Sequence, residues 1–262
     1  MLLIALALLI STLVGLFQKG VSFSLSDILS RGLGEISSYA LIGGVFMRRA
    51  RSSSLVLCVL FANMFQLVIS FLYLLYNNTL TAFMVAEEWS GYSEPGESKK
   101  PLRVTRPHGF QESSYFLSLP YAYGIPALVA STILHWLVSR SVFVVNTSAY
   151  DENGQHLPSG DTSRVGYSSL GILLALILGS VMVVALVVLA FVCRLKGQAP
   201  LVHTCSLAIS AACHKPREDE DAHLFFSSWG VSDAGDEHSG IGHCCLTTSS
   251  CVDSPKQGFI YH

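Results

Sequence analysis

Three uninterrupted apolar runs, at residues 55–76, 123–145 and 170–193, constrain this chain more than any other feature. Spanning the hydrocarbon core of a bilayer takes about 20 apolar helical residues, because each adds about 1.5 Å and a backbone in lipid must satisfy its own hydrogen bonds. All three runs pass that test. None holds a carboxylate, and only the second holds a charge, Arg140. The sequence therefore predicts three membrane helices. Of its 262 residues 51% are hydrophobic and 13% charged, where a soluble domain carries about a quarter charged. Bunching of the apolar residues rules out one compact soluble core. With 16 Lys and Arg against 18 Asp and Glu there is no basic surface for a nucleic-acid backbone, so no nucleic-acid partner is expected.

A fourth apolar run, residues 1–17, is shorter and has no basic residue ahead of it, while Phe17, Gln18 and Lys19 stand where a cleavage site would be. It reads as an N-terminal membrane anchor, or as a helix of a longer chain, in preference to a cleaved signal. Residues 18–54 read as a polar or interfacial loop. Within them 37–47 is short, contains Gly43 and Gly44, precedes Arg48, Arg49 and Arg51, and reads as interfacial or re-entrant. The expected fold is all-α: a bundle of about four transmembrane helices, three of them within 55–193, followed by a mostly irregular extramembrane tail at 194–262. Orientation is not set by positive charge. Four spans would gather Lys19, Arg31, Arg48, Arg49, Arg51 and Arg164 on one side and Lys99, Lys100, Arg103, Arg106, Arg194 and Lys196 on the other. The glycosylation sequences at Asn77 and Asn146 fall on opposite sides of that map.

Helix faces supply the candidate site. Asn63, Gln66 and Ser70 fall on one face of the first long run, and Ala127, Ser131, His135 and Ser139 recur every fourth residue in the second. Facing one another, the two stripes would exchange hydrogen bonds contributing about 0.6 to 2 kcal/mol each. The favoured reading is interhelical bonding. The alternative is a polar path or ligand pocket through Asn63, Gln66, Ser131 and His135, with His135 as the titratable group. No Asp or Glu lies in any span, which weighs against coupled transport. In the third long run Gly171, Ala175 and Gly179 form a small-xxx-small face, fit for another membrane helix or a second copy. Arg140 is placed to snorkel to the head groups beside Trp136. Pro126 falls in the first turn of its span, after an aromatic belt containing Tyr121 and Tyr123.

The stretch 77–119 reads as a loop with segregated charge: Glu87, Glu88, Glu94 and Glu97, then Lys99, Lys100, Arg103 and Arg106. Local pairing is preferred over binding to anionic head groups. The connection 146–169, rich in Asp, Asn, Gly and Ser, reads as an exposed turn region. In the tail, Leu201, Cys205, Ala208, Ile209 and Ala212 suggest a short amphipathic helix. The tail also gathers Cys205, Cys213, Cys244, Cys245 and Cys251 with His203, His214, His223, His238 and His243. A structural zinc site uses ligand pairs two to four residues apart, whereas Cys213/His214 and His243/Cys244/Cys245 are adjacent. Free thiols, disulfides or lipidation are preferred to metal, with Cys193 in a juxtamembrane position. No metal and no cofactor is expected.

Catalytic signatures such as GxSxG, HExxH, GxxxxGK[ST] and GxGxxG are missing from the sequence, and an enzyme is not the expected reading. The strings KPLRVTRPHGFQESSYFLSLPYAYGIP, HWLVSRSVFVV, GYSSLGILLALILGSVMV and SLAISAACHKPREDEDA resemble the C-terminal part of a family of fungal multi-pass membrane proteins of unknown function, over roughly residues 20–262. Members of that family are longer at the N-terminus. The resemblance implies an integral membrane protein lacking some earlier helices, and it brings no activity, substrate or catalytic residue. The expected function is that of a non-enzymatic multi-pass membrane protein acting in interaction, sensing or scaffolding, with the bilayer as partner. A transporter or channel subunit using Asn63, Gln66 and His135 is the alternative.

Overall fold

A computed structural model describes residues 29, 32–34, 41–42, 55–94, 99–192, 195, 197, 199, 205–214, 219–233, 241–249, 252–255 and 260–261. The expected anchor at 1–17, most of the stretch at 37–47, Arg48, Arg49, Arg51 and Cys193 lie outside the described residues.

The elements run β1 (Leu41–Ile42), α1 (Leu55–Gly91), β2 (Arg103–Val104), β3 (Glu112–Ser113), α2 (Tyr121–Ser141), β4 (Val142–Thr147), β5 (Thr162–Tyr167), α3 (Ser169–Val192), α4 (Ser206–Ala212), β6 (Ser228–Asp233), β7 (Ile241–Thr247) and β8 (Ile260–Tyr261). Helices α1, α2 and α3 are long and apolar enough to cross a membrane, with mean hydropathies of 2.4, 1.4 and 3.2 over their most apolar 18 residues. The expected all-α bundle is nevertheless wrong. Among the described residues the fold is mixed, with three small sheets of order β1-β5-β4, β2-β3 and β6-β7-β8. The long helices also stay largely uncovered by protein: 6%, 22% and 0% of those same windows is buried.

Two compact units divide the chain, one drawn from Met1–Asn77 and Ile125–Leu186, the other from Asn78–Gly124 and Val187–His262. In the first unit, the second apolar run is helical only as far as Ser141, and its last residues, expected to be helix, are the strand β4. The β-branched Val142, Val144 and Val145 favour the extended backbone. Ser141 accepts a bond from the Ser168 amide at 2.9 Å, closing a hairpin in which β4 pairs antiparallel with β5 from Val142–Tyr167 to Thr147–Thr162. At the hairpin tip Asp151 accepts the amides of Asn153 and Gln155, and Gly154 takes a left-handed φ of 77°. Leu41 and Ile42, within the stretch read as interfacial or re-entrant, pair antiparallel with Gly166 and Val165. Cys58, fully buried on α1, lies within 3.6 Å of the Ser163 carbonyl of β5.

The first apolar run does not stop at Asn77 either. α1 continues to Gly91, 37 residues or about 55 Å. Its extension is amphipathic, burying Leu80 and Met84 one turn apart while Glu87 and Glu88 stay exposed. Pro126 sits at the sixth residue of α2, not in its first turn, and so removes the helical bond to the Ala122 carbonyl.

In the second unit the described residues of the tail, expected to be mostly irregular, include the helix α4 and the strands β6, β7 and β8. Trp229 and Cys244, on the antiparallel pair β6–β7, pack with Ala212 of α4 and with Tyr92, just past the end of α1, while Trp89, Leu102 and Leu246 close the cluster. Trp229 donates its amide to the Tyr92 carbonyl at 2.8 Å, and Lys100 and Ser227 exchange backbone bonds of 3.0 and 2.9 Å. The segment 77–119 and the tail therefore share one core.

Candidate functional site

Of the polar stripe residues, the first unit brings two together. The Gln66 carboxamide faces the His135 ring, with Oε1 2.8 Å from Nδ1, while Gln66 Nε2 donates to the His135 carbonyl at 3.1 Å. Because Oε1 can only accept, Nδ1 carries the proton and the imidazole donates. The side-chain amide thus grips α2 at both its ring and its backbone. Ser131, one turn before His135, is buried, as is Ala127.

The other expected members go elsewhere. Asn63 Nδ2 donates to the Val59 carbonyl at 2.8 Å and Ser70 Oγ to the Gln66 carbonyl at 3.0 Å, each within its own helix. Ser139 is exposed, because the buried line of α2 runs through Ala127, Ser131, Leu134, Leu137 and Ser141 at closer to 3.6 residues per turn than to a strict four. The small-residue face of α3 also divides. Gly171 is buried, and a Cβ there would come within 3.2 Å of the Ser141 backbone, whereas nothing lies within 4 Å of one at Gly179.

The second unit holds a charged cluster in which the local pairing preferred from the sequence takes partners that spacing did not specify. Arg103 Nε meets Glu88 Oε1 at 3.1 Å, Nη2 meets Glu112 Oε2 at 2.7 Å, and Nη1 donates to the Ser113 carbonyl at 2.9 Å. Its guanidinium carbon lies 4.3 Å from the centre of the Tyr115 ring. Partial burial alone would lower the Arg103 pKa, but the Glu88 bond and the charges of Glu88, Tyr115 and Glu112 raise it. Beside it Tyr92 donates to the Pro101 carbonyl at 2.8 Å, and burial, then the Glu88 charge, push its phenol up to about 12. Lys99 donates to the Thr248 carbonyl. This cluster is local charge pairing joining α1 to β2 and β3. Glu112 and Tyr115 were not singled out in the sequence, since nothing in their spacing to Arg103 gives the contact away.

The tail cysteines separate by exposure. Cys244 and Cys245 are buried, and Cys205 and Cys213 are exposed. Burial, then the neighbouring Cys245, push the Cys244 thiol up to about 11, and burial also raises Cys245. His243 Nε2 lies 2.6 Å from the His214 carbonyl. Asp219 accepts from Thr247 Oγ1 at 2.8 Å, the Thr248 amide at 2.7 Å and Thr248 Oγ1 at 2.6 Å, so the carboxylate ties the chain before β6 to the end of β7. Among the described residues no three His, Cys, Asp or Glu side chains are grouped to hold a metal ion. His203, His238 and Cys251 lie outside the described residues.

A family model described as Domain of unknown function (DUF8419) matches residues 1–257. No curated protein and no solved structure matches the chain.

Proposed function

From the premise that the chain belongs to the DUF8419 family, whose description carries no activity, we propose on the residues alone that it is a non-enzymatic multi-pass integral membrane protein acting through its extramembrane folds in interaction, sensing or scaffolding. One observation carries this reading. Two of the three candidate spans, α1 and α2, separate β1 from β5, with which it pairs, and two, α2 and α3, separate Tyr92 and Lys100 from their partners Trp229 and Ser227. A chain that crosses a bilayer twice returns to the face it left. Every such pairing is therefore compatible with the crossings, although nothing in apolar helix lengths requires it. Uncovered helix surface adds support: no part of the most apolar window of α3 is buried, and such a helix needs lipid or other helices around it.

A conducting path through Asn63, Gln66 and His135 is the weaker reading, because Gln66 and His135 bond each other and Asn63 bonds its own helix.

The test combines an alkaline carbonate wash with thiol labelling in sealed vesicles. Chains retain the buried Cys58, Cys244 and Cys245, carry either Cys213 or Ser114→Cys as the exposed thiol, and have the other cysteines replaced by alanine. The reading expects the protein to stay with the membrane and both thiols to react with an impermeant maleimide from the same face. Release by carbonate, or labelling from opposite faces, overturns it. A pH-dependent flux in reconstituted vesicles that His135→Ala abolishes at unchanged folding would favour transport instead.

A further inference from the structure

The outer face of α1 carries a repeat that packing within one chain does not use. Val56, Leu60, Asn63, Leu67, Ser70 and Leu74 are spaced alternately four and three residues apart, with leucine at every seventh position from 60 to 74. On a helix these six fall within about 80° of one another, on the side away from the buried Cys58 that meets β5. Val56, Leu60, Leu67 and Leu74, from 62% to 72% exposed, are the four most exposed large apolar residues of α1, and Asn63 and Ser70 lie exposed among them. Asn63 is the odd member. It sits about 12 Å inside the apolar run that begins at Leu55. Its Nδ2 gives one N–H to the Val59 carbonyl at 2.8 Å, whereas the second N–H and Oδ1 have no partner among the described residues. Ser70, by contrast, directs its hydroxyl to the Gln66 carbonyl at 3.0 Å. Acyl chains offer a carboxamide neither donor nor acceptor, so its spare groups are costly to leave against lipid.

We propose that α1 pairs with α1 of a second copy of the chain along this stripe, the two Asn63 carboxamides bonding each other across a twofold axis. The inference rests on the membrane reading above. The occupant follows from symmetry and depth. Two copies inserted in the same direction bring their Asn63 residues to one level, where each carboxamide offers the other a donor and an acceptor. The spacing fits the same partner. A repeat of about 3.5 residues stays at the contact between two helices only if they wind around each other left-handedly, crossing at about 20°. From Val56 to Leu74 the seam runs about 27 Å, close to the hydrocarbon thickness of about 30 Å. Leucine packing along the seam and one polar bond within it are the contacts by which helices associate in lipid.

The test uses the full chain in phosphatidylcholine vesicles, with every cysteine except the buried Cys58, Cys244 and Cys245 replaced by alanine and one cysteine added, either Leu67→Cys on the stripe or Val68→Cys, about 100° round the helix. Oxidation with copper phenanthroline is expected to link Leu67→Cys chains into dimers and to leave Val68→Cys chains, like the chain with no added cysteine, largely monomeric. Asn63→Leu removes the carboxamide at similar side-chain size. It should raise the dimer dissociation constant about 3- to 20-fold, the effect of losing one interhelical hydrogen bond, read by energy transfer between labelled copies diluted in lipid. An alkaline carbonate wash of the same vesicles reads the membrane placement separately. Chains that resist carbonate but give no dimer at either position, or equal dimer at both, overturn the pairing and leave the membrane reading standing, whereas release by carbonate overturns both. A dissociation constant unchanged by Asn63→Leu also overturns the proposal.

Discussion

Removing the Gln66–His135 contact from either side costs different amounts, and the asymmetry is set by geometry. Gln66 makes two bonds to α2, one to the His135 ring and one to the His135 backbone. Gln66→Leu loses both. His135→Leu loses only the first, since the carbonyl remains for Gln66 Nε2. Hydrogen bonds between membrane helices average about 0.6 kcal/mol and reach about 1.7 kcal/mol. His135→Leu should therefore destabilise the chain by about 1 kcal/mol, and Gln66→Leu by about 2 kcal/mol. The double variant should match Gln66→Leu to within about 0.5 kcal/mol, because no bond is left for the second change to break. Equilibrium unfolding of the purified chain in mixed micelles, with a rising fraction of dodecyl sulfate, measures all three. Costs that simply add in the double variant would sink the interpretation. So would a His135→Leu cost exceeding that of Gln66→Leu, which would mean that the imidazole has partners beyond Gln66.

The second unit should lose stability in alkali. Cys244 and Tyr92 stay neutral in the fold, with pKa values raised from 9.0 to about 11 and from 10.0 to about 12, chiefly by burial. Their contribution is complete below pH 9, where the unfolded thiol is also neutral, and is lost as pH rises through about 11 and then about 12. A denaturation midpoint followed by tryptophan fluorescence that stays flat from pH 9 to 11 contradicts this. Asp219→Ala removes three hydrogen bonds to a carboxylate and should destabilise the unit by about 2–3 kcal/mol, read as a lower unfolding midpoint. Gly171→Ala drives a Cβ against the Ser141 backbone and should cost about 1–3 kcal/mol, while Gly179→Ala, whose Cβ has nothing within 4 Å, should leave thermal stability unchanged. Equal effects of the two would show that α3 is not seated as described.

The three long apolar helices were legible in the sequence because each run is uninterrupted over a helical length. Their ends were less legible. The apolar run continues from Trp136 through Val145 with Arg140 as its one charge, and hydropathy alone does not separate the helix ending at Ser141 from the strand β4 that follows. At the other extreme, Asn77-Asn78-Thr79 reads as the end of the apolar run, but α1 keeps its backbone bonds past it, and Leu80 and Met84 give the extension a face to bury. The Gln66–His135 pair was legible as two stripes. Its exclusiveness was not, because whether Asn63 and Ser70 reach across or bond backward to Val59 and Gln66 depends on helix rotation, which spacing does not fix.

The tail failed to read as a domain for a different reason. Its core takes Ala212, Trp229 and Cys244 from the tail and Tyr92, Trp89 and Leu102 from a segment more than 100 residues earlier. Neither piece has enough apolar residues to close a core alone, and each read separately is a polar stretch with a few stray aromatics. The charges behave in the same way. Glu88 and Arg103, from two segregated blocks, meet because α1 continues past residue 77 to Gly91. Folding outside the apolar runs thus joins segments far apart in the sequence that neither composition nor spacing links.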